Sequence, residues 1–185
     1  MLSEKILRLI DAYRSCYPDE ADAARLRRFI ETQPRCFERD CFDDGHVTGS
    51  AWVVDSDGSR ALLTHHRKLG KWLQLGGHSD GEPDTLAVAL REAREESGLV
   101  VQPISEAVLD VDIHTIPASK GEPAHLHYDV RFAFRAASSG PLRVSPESID
   151  LAWVEIEDLV RLTGEESMLR MARKFLASHK IGAGK

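Results

Sequence analysis

The sequence predicts an α/β (α+β) sandwich: a mixed β-sheet around one strong central helix, with a helical extension in front. Three observations carry this reading. Strand-like segments recur between about His46 and Val154, interrupted by one long helical pattern from Asp84 to Ser97. The apolar positions of that pattern, Leu86, Ala89, Leu90 and Ala93, fall on one stripe, as they do in a helix packed on a sheet. Helical spacing returns at both ends of the chain. A chain of 185 residues is little more than one domain of ~150 residues, long enough to bury a core without disulfide or metal staples.

In order, Leu2, Ile6, Leu9, Ile10 and Tyr13 recur at helical spacing until Tyr17-Pro18-Asp19 breaks the pattern. Asp19 is placed to cap a second helix carrying Leu26, Phe29 and Ile30, which Pro34 should stop. Gly49–Val54 and Ala61–His65 read as strands joined by a turn at Asp55-Ser56-Asp57-Gly58. Trp72–Leu75 is a short third strand, after which Gly76-Gly77 reads as a break. Beyond the central helix, Val101–Ile113, Leu126–Phe134 and Leu151–Val154 are strands. Thr163-Gly164-Glu165-Glu166 has a capping-box pattern, opening a last helix with Leu169, Ala172, Phe175 and Leu176 on its apolar face. Lys180 to Lys185 reads as a frayed tail.

Composition narrows the function. The chain carries 24 Lys+Arg against 30 Asp+Glu, a net charge of −6. That is not the field of a protein that grips nucleic acid by its phosphates. No apolar run approaches the ~18 residues of a membrane span, and no signal-peptide core precedes Glu4, Lys5, Arg8 and Asp11. Three cysteines, Cys16, Cys36 and Cys41, do not resemble a secreted disulfide framework. The expected location is cytoplasmic.

The acid excess is concentrated. Residues 76–98 hold six acids and only Arg91 and Arg94 as bases, which accounts for four of the six net negative charges. Within the helix, Glu92, Glu95 and Glu96 share one face. Such like charges repel by a few tenths of a kcal/mol per pair (about 0.2–0.5) on an exposed helix. A hard divalent cation with oxygen ligands, Mg²⁺ or Mn²⁺, relieves this repulsion. The preceding glycines allow backbone to approach such an ion or a phosphate. An isolated E-x-x-E-E is usually only a solvated face, so the flanking residues decide.

Those residues, from Gly77 through Arg91-Glu92-Ala93-Arg94-Glu95-Glu96-Ser97-Gly98-Leu99, resemble the Nudix box, G-x5-E-x7-R-E-U-x-E-E-x-G-U, where U is aliphatic. One position departs: Pro83 stands where the box has its first Glu, with Glu82 and Asp84 on either side as substitutes. The resemblance runs roughly from Val47 to Leu162. It implies a Nudix-type α/β/α sandwich, with residues 1–44 as a helical extension and 45–185 as the hydrolase domain. It implies Mg²⁺-dependent hydrolysis of a nucleoside diphosphate linked to another moiety: a nucleoside triphosphate, nucleotide sugar, ADP-ribose or similar small nucleotide. Glu92, Glu95, Glu96 and the Gly76 carbonyl would be the metal ligands, and Arg91 would hold the glutamates by ion pairs. Glu95 or Glu96 would accept the water proton, with Asp110, Asp112 and Asp129 as alternatives on later strands. A homodimer is in keeping with the family. Two other readings remain: a nucleotide-sensing module that has lost turnover, and an isopentenyl-diphosphate isomerase. The isomerase needs a reactive Cys near the site, and no Cys follows Cys41.

Further candidates lie outside the box. His125, His127 and Asp129 alternate on one strand face, so His125 and His127 are candidate substrate contacts, as is His78 beside the glycines. Trp52 and Trp72 are candidates either for stacking on a base or for the core. Cys36-x4-Cys41 with His46 nearby lacks the second tight pair of a usual zinc site.

Overall fold

A computed structural model describes residues 2–119, 121–138 and 140–182. Helices α1 (Leu2–Cys16) and α2 (Ala21–Thr32) lead into strands β1 (His46–Val54), β2 (Arg60–His66), β3 (Lys71–Leu73) and β4 (Leu75–His78). Helix α3 (Thr85–Ser97) is followed by β5 (Val101–Ile116), β6 (His125–Ala136) and β7 (Ser148–Glu155). A 3-10 turn, α4 (Leu159–Leu162) and α5 (Glu166–Gly182) complete the described chain.

The described strands form one mixed seven-stranded sheet ordered β3-β2-β1-β6-β5, with β4 joined to β1 and β7 to β2. Strand β1 is central and buried at every position, as expected of a strand covered on both faces. One edge runs parallel to β6 from His46↔His127 to Val54↔Arg135. Its other edge is divided: β4 pairs with Thr48 to Ala51 and β2 with Val53 and Val54.

Alternation along the strands separates two cores. Val47, Ala51 and Val53 join Val130, Phe132 and Phe134 beneath α3 and the N-terminal helices. Trp52 and Val54 turn to the opposite face, against Met168, Met171, Ala172 and Phe175 of α5. Ile6, Ile10, Tyr13 and Leu26 of the extension belong to the first core, and Phe29 stacks on Tyr128 with ring centroids 4.0 Å apart. At about 2 kcal/mol per buried aliphatic side chain, these residues tie the extension to the sheet. Among the described residues no helix is long and apolar enough to cross a membrane.

Several boundaries differ from the sequence expectation, each for a non-local reason. Gly76-Gly77 is not a break but lies within β4, with Gly76 opposite Ser50 and Gly77 opposite Gly49. A Cβ on Gly49 would stand 2.7 Å from the Thr85 carbonyl oxygen, so glycine there lets α3 approach β1. Strand β1 begins at His46, ahead of Gly49, because β6 supplies partners from that point. Helix α2 is preceded by Glu20, not capped by Asp19, and the Glu20 side chain makes no cap bond; its carboxylate instead meets Tyr13 and Lys174. Thr163 accepts from the Glu165 N–H at 3.1 Å, and α5 starts two residues later than a Thr163 cap would place it. Of the expected frayed tail, Lys180 to Gly182 continue α5 and residues 183–185 lie outside the described residues.

Candidate functional site

Helix α3 is fixed by local sequence at both ends. Asp84 caps it, its side chain accepting from the Ala87 N–H at 3.2 Å. Gly98 stops it in the left-handed conformation at φ 72°, its N–H donating to Arg94. Burial of Val88, Ala89 and Ala93 sets the helix rotation and turns Glu92 and Glu96 toward β4. The Gly76 N–H donates to Glu96 Oε2 at 3.0 Å. The Glu92 carboxylate fills the space a side chain on Gly77 would need, its Cδ 2.6 Å from where that Cβ would stand. Arg91 Nη2 donates to the His78 carbonyl at 2.7 Å and lies 2.9 Å from Glu92 Oε1. Glu96 is 8% exposed, Glu92 half-buried and Glu95 exposed.

Burial pushes the Glu96 carboxyl up to about 8, the Gly76 N–H opposing and Glu92, Glu147 and Glu95 adding to the rise. Glu92 is also raised, chiefly by burial, against the pull of Arg91. Among the described residues no Lys, Arg or His stands within ion-pair distance of Glu95 or Glu96. The donor set is entirely oxygen, burial and neighbouring carboxylates raise Glu92 and Glu96, and Arg91 pairs with Glu92 alone, so these residues fit a hard divalent cation. Glu147, on the exposed loop before β7, adds negative charge here and carries no sequence motif that points to it. Of the residues flanking Pro83, Asp84 is occupied by its cap bond and by Lys5 at 2.8 Å. Glu82 accepts from the Asp84 N–H at 2.8 Å.

Alternation sends His78 to the face opposite Glu92. There its ring meets His46 and His127, with centroids 5.1 and 5.3 Å away, and its Nδ1 lies 2.9 Å from Arg39 Nη2. His125 joins the cluster and is 6% exposed; His78 and His127 are half-buried. The three histidines expected to contact substrate are thus brought together, along with His46 and Arg39, which were not singled out for that role. His46 sits among these rings, with the Cys41 backbone also acting on it; Cys36 and Cys41 are free, buried thiols, and burial pushes Cys36 up to about 12.

The aspartates considered as alternative bases are otherwise engaged. Arg131, 2% exposed, reaches Asp129 at 2.7 Å and Asp110 and Asp112 at 3.1 Å each. Asp129 also accepts from Thr48, Ser50 and Gln74, which fills its lone pairs. Arg170 binds Asp110 and Asp112, and Lys174 binds Asp110. Trp52 is core, 1% exposed, and Trp72 stacks on His65. A cavity of about 870 Å³ lies elsewhere, between α1, β5 and α5, and no α3 carboxylate lines it.

The fold recurs in solved structures. An Ap4A hydrolase from C. elegans, in a binary complex, aligns with a TM-score of 0.58 at 18% identity, covering 72% of this chain and 97% of its own. A MutT protein from Methanosarcina mazei aligns at 0.55 and 18%, covering 72% and 94%. The E. coli dihydroneopterin triphosphate pyrophosphohydrolase aligns at 0.53 and 14%, covering 71% and 95%. No curated protein matches the chain by sequence. The NUDIX domain family model matches residues 45–175, spanning the sheet, α3 with its three glutamates, and most of α5. The protein belongs to the Nudix family.

Proposed function

We propose that residues 45–185 form a hydrolase domain, fronted by residues 1–44 as a helical extension, that cleaves a phosphoanhydride bond in a nucleoside diphosphate linked to a second moiety. The observation that carries this is the placing of Glu92 and Glu96 of α3 against Gly77 and Gly76, with Glu96 buried and without an ion-pair partner among the described residues, in a chain of this family. Glu92, Glu95, Glu96 and the Gly76 carbonyl would hold Mg²⁺, with Mn²⁺ as a substitute. When bound, the cation supplies charge neutralisation on the diphosphate and acidifies a water.

The chain's own residues do the rest. Arg91 links Glu92 to the His78 carbonyl, holding the carboxylate against β4. The Gly76 N–H orients Glu96. Glu95 or Glu96 takes the proton as the water oxygen bonds to phosphorus, and the anhydride P–O bond breaks with its electron pair leaving on the departing phosphate. His78, held by Arg39, and His125 and His127 would contact only a part of the substrate that extends past β4, away from the carboxylates.

The test is release of nucleotide or phosphate with Mg²⁺ across a panel: nucleoside triphosphates, nucleotide sugars, ADP-ribose, Ap4A and dihydroneopterin triphosphate. Glu95→Gln and Glu96→Gln should each remove most of the turnover. Wild-type turnover in both variants would overturn the metal assignment. Tight nucleotide binding with no release under Mg²⁺ or Mn²⁺ would make the protein a sensor instead.

A further inference from the structure

We propose that His46, His125 and His127 form a second metal site, for an imidazole-preferring divalent cation of the zinc type, on the sheet face opposite the carboxylates. One ligand atom from each ring lies within 4.8 Å of the other two. All three belong to the parallel pair β1 and β6, where His46 stands in register with His127 and His125 lies two residues earlier on the same face.

The hydrogen-bond inventory prepares these rings for a cation. His46 is 1% exposed, and neither of its ring nitrogens makes a full hydrogen bond, the Cys41 backbone acting on the ring only weakly. A buried polar group left unsatisfied costs about 1–3 kcal/mol, so an orphan of this kind calls for a ligand. His125 Nδ1 lies 2.8 Å from the Pro123 carbonyl oxygen. A carbonyl only accepts, so the proton of neutral His125 is on Nδ1 and its Nε2 presents a lone pair. A carbonyl that accepts from the far ring nitrogen in this way commonly orients a metal-binding histidine. That lone pair faces His127 Nε2 at 3.3 Å. Two nitrogens bound tetrahedrally to one zinc at 2.0–2.1 Å stand about 3.3 Å apart, so one edge of the coordination polyhedron already has its length.

The first three ligands leave a fourth position to solvent. His78 lies close, but its Nδ1 accepts from Arg39, because a guanidinium only donates; its remaining proton is therefore on Nε2, which blocks that atom as a ligand. Phe42 packs over His125 and His46, with centroids 5.1 and 6.4 Å away, and covers one side of the group. The donors are all nitrogen, which suits zinc over magnesium, so this site and the carboxylate site stand or fall separately.

The test is calorimetric titration of Zn²⁺ into the EDTA-stripped full-length protein, with excess Mg²⁺ present to occupy the carboxylates. One equivalent should bind, and Zn²⁺ should raise the melting temperature. His127→Gln and His125→Gln should each weaken binding about 100-fold or more, beyond the usual loss when a group that only orients a ligand is changed, and abolish the thermal shift. Glu96→Gln should bind Zn²⁺ like the parent. If His46→Gln fails to fold, the half-buried His127 still carries the test. Absence of Zn²⁺ uptake, parent-like affinity in both histidine variants, or loss of uptake in Glu96→Gln would each overturn the proposal.

Discussion

Replacing Glu96 with Gln removes a charge, keeps the shape, and leaves an amide oxygen to accept the Gly76 N–H. In the parent the Glu96 carboxyl sits at about 8 in place of its ordinary 4.5. Between these values the folded protein binds a proton that the unfolded chain has lost, so stability falls as pH rises through that interval. At about 1.4 kcal/mol per pH unit, the parent loses up to about 5 kcal/mol between pH 4.5 and 8. The variant has no such group. Urea unfolding of both metal-free proteins, at intervals from pH 5 to 9, should therefore show a gap that opens with pH in favour of the variant, reaching about 2–5 kcal/mol. His46, lowered to about 4, has the opposite sign, losing stability as pH falls from 6.5, but it is common to both proteins and cancels in the difference. Saturating Mg²⁺ should close the gap by stabilising the parent. A gap that does not change with pH would refute the account of a buried, unpaired carboxylate.

Three other substitutions separate site from scaffold. Gly77→Ala places a Cβ against the Glu92 carboxylate, the free end of a flexible side chain; melting should stay near the parent while activity with Mg²⁺ falls about 10–100-fold. Gly49→Ala directs its Cβ at the Thr85 backbone oxygen, which cannot swing away, so urea unfolding should show a loss of about 1–3 kcal/mol. Arg131→Leu strands a carboxylate of the Asp110, Asp112 and Asp129 network and should cost about 3–5 kcal/mol by the same measurement. A cost below about 1 kcal/mol would show that Arg170, Lys174 and the hydroxyls suffice to hold the three aspartates.

What the sequence made legible was what local rules decide. Helix α3 was readable because its apolar stripe lies within one short segment, and the shared face of Glu92, Glu95 and Glu96 follows from helical spacing alone. Where a distant segment sets the structure, the local signal misled. A glycine pair reads as a break, yet Gly76-Gly77 is strand, because their missing side chains make room for Ser50 on one side and Glu92 on the other. His46 reads with its neighbours Cys36 and Cys41, yet its companions come from β6, through a parallel register that no spacing in the sequence encodes. Glu147 offers no motif and reaches the carboxylates only because the loop before β7 brings it there.

The divided edge of β1 explains how both donor sets can occupy one small region. Strand β4 covers only the first half of that edge, and its last residues alternate, so Gly77 receives Glu92 on one face and His78 joins the imidazoles on the other. Two adjacent residues of one strand thus separate hard carboxylate oxygens from borderline imidazole nitrogens. Magnesium prefers the first set and zinc the second. The backbone between them is paired with β1, so neither set can reach across to complete the other's coordination. With both proposed sites loaded, selectivity would follow from the pleat of the strand, and a substitution that repacks one face should leave metal binding on the other unchanged.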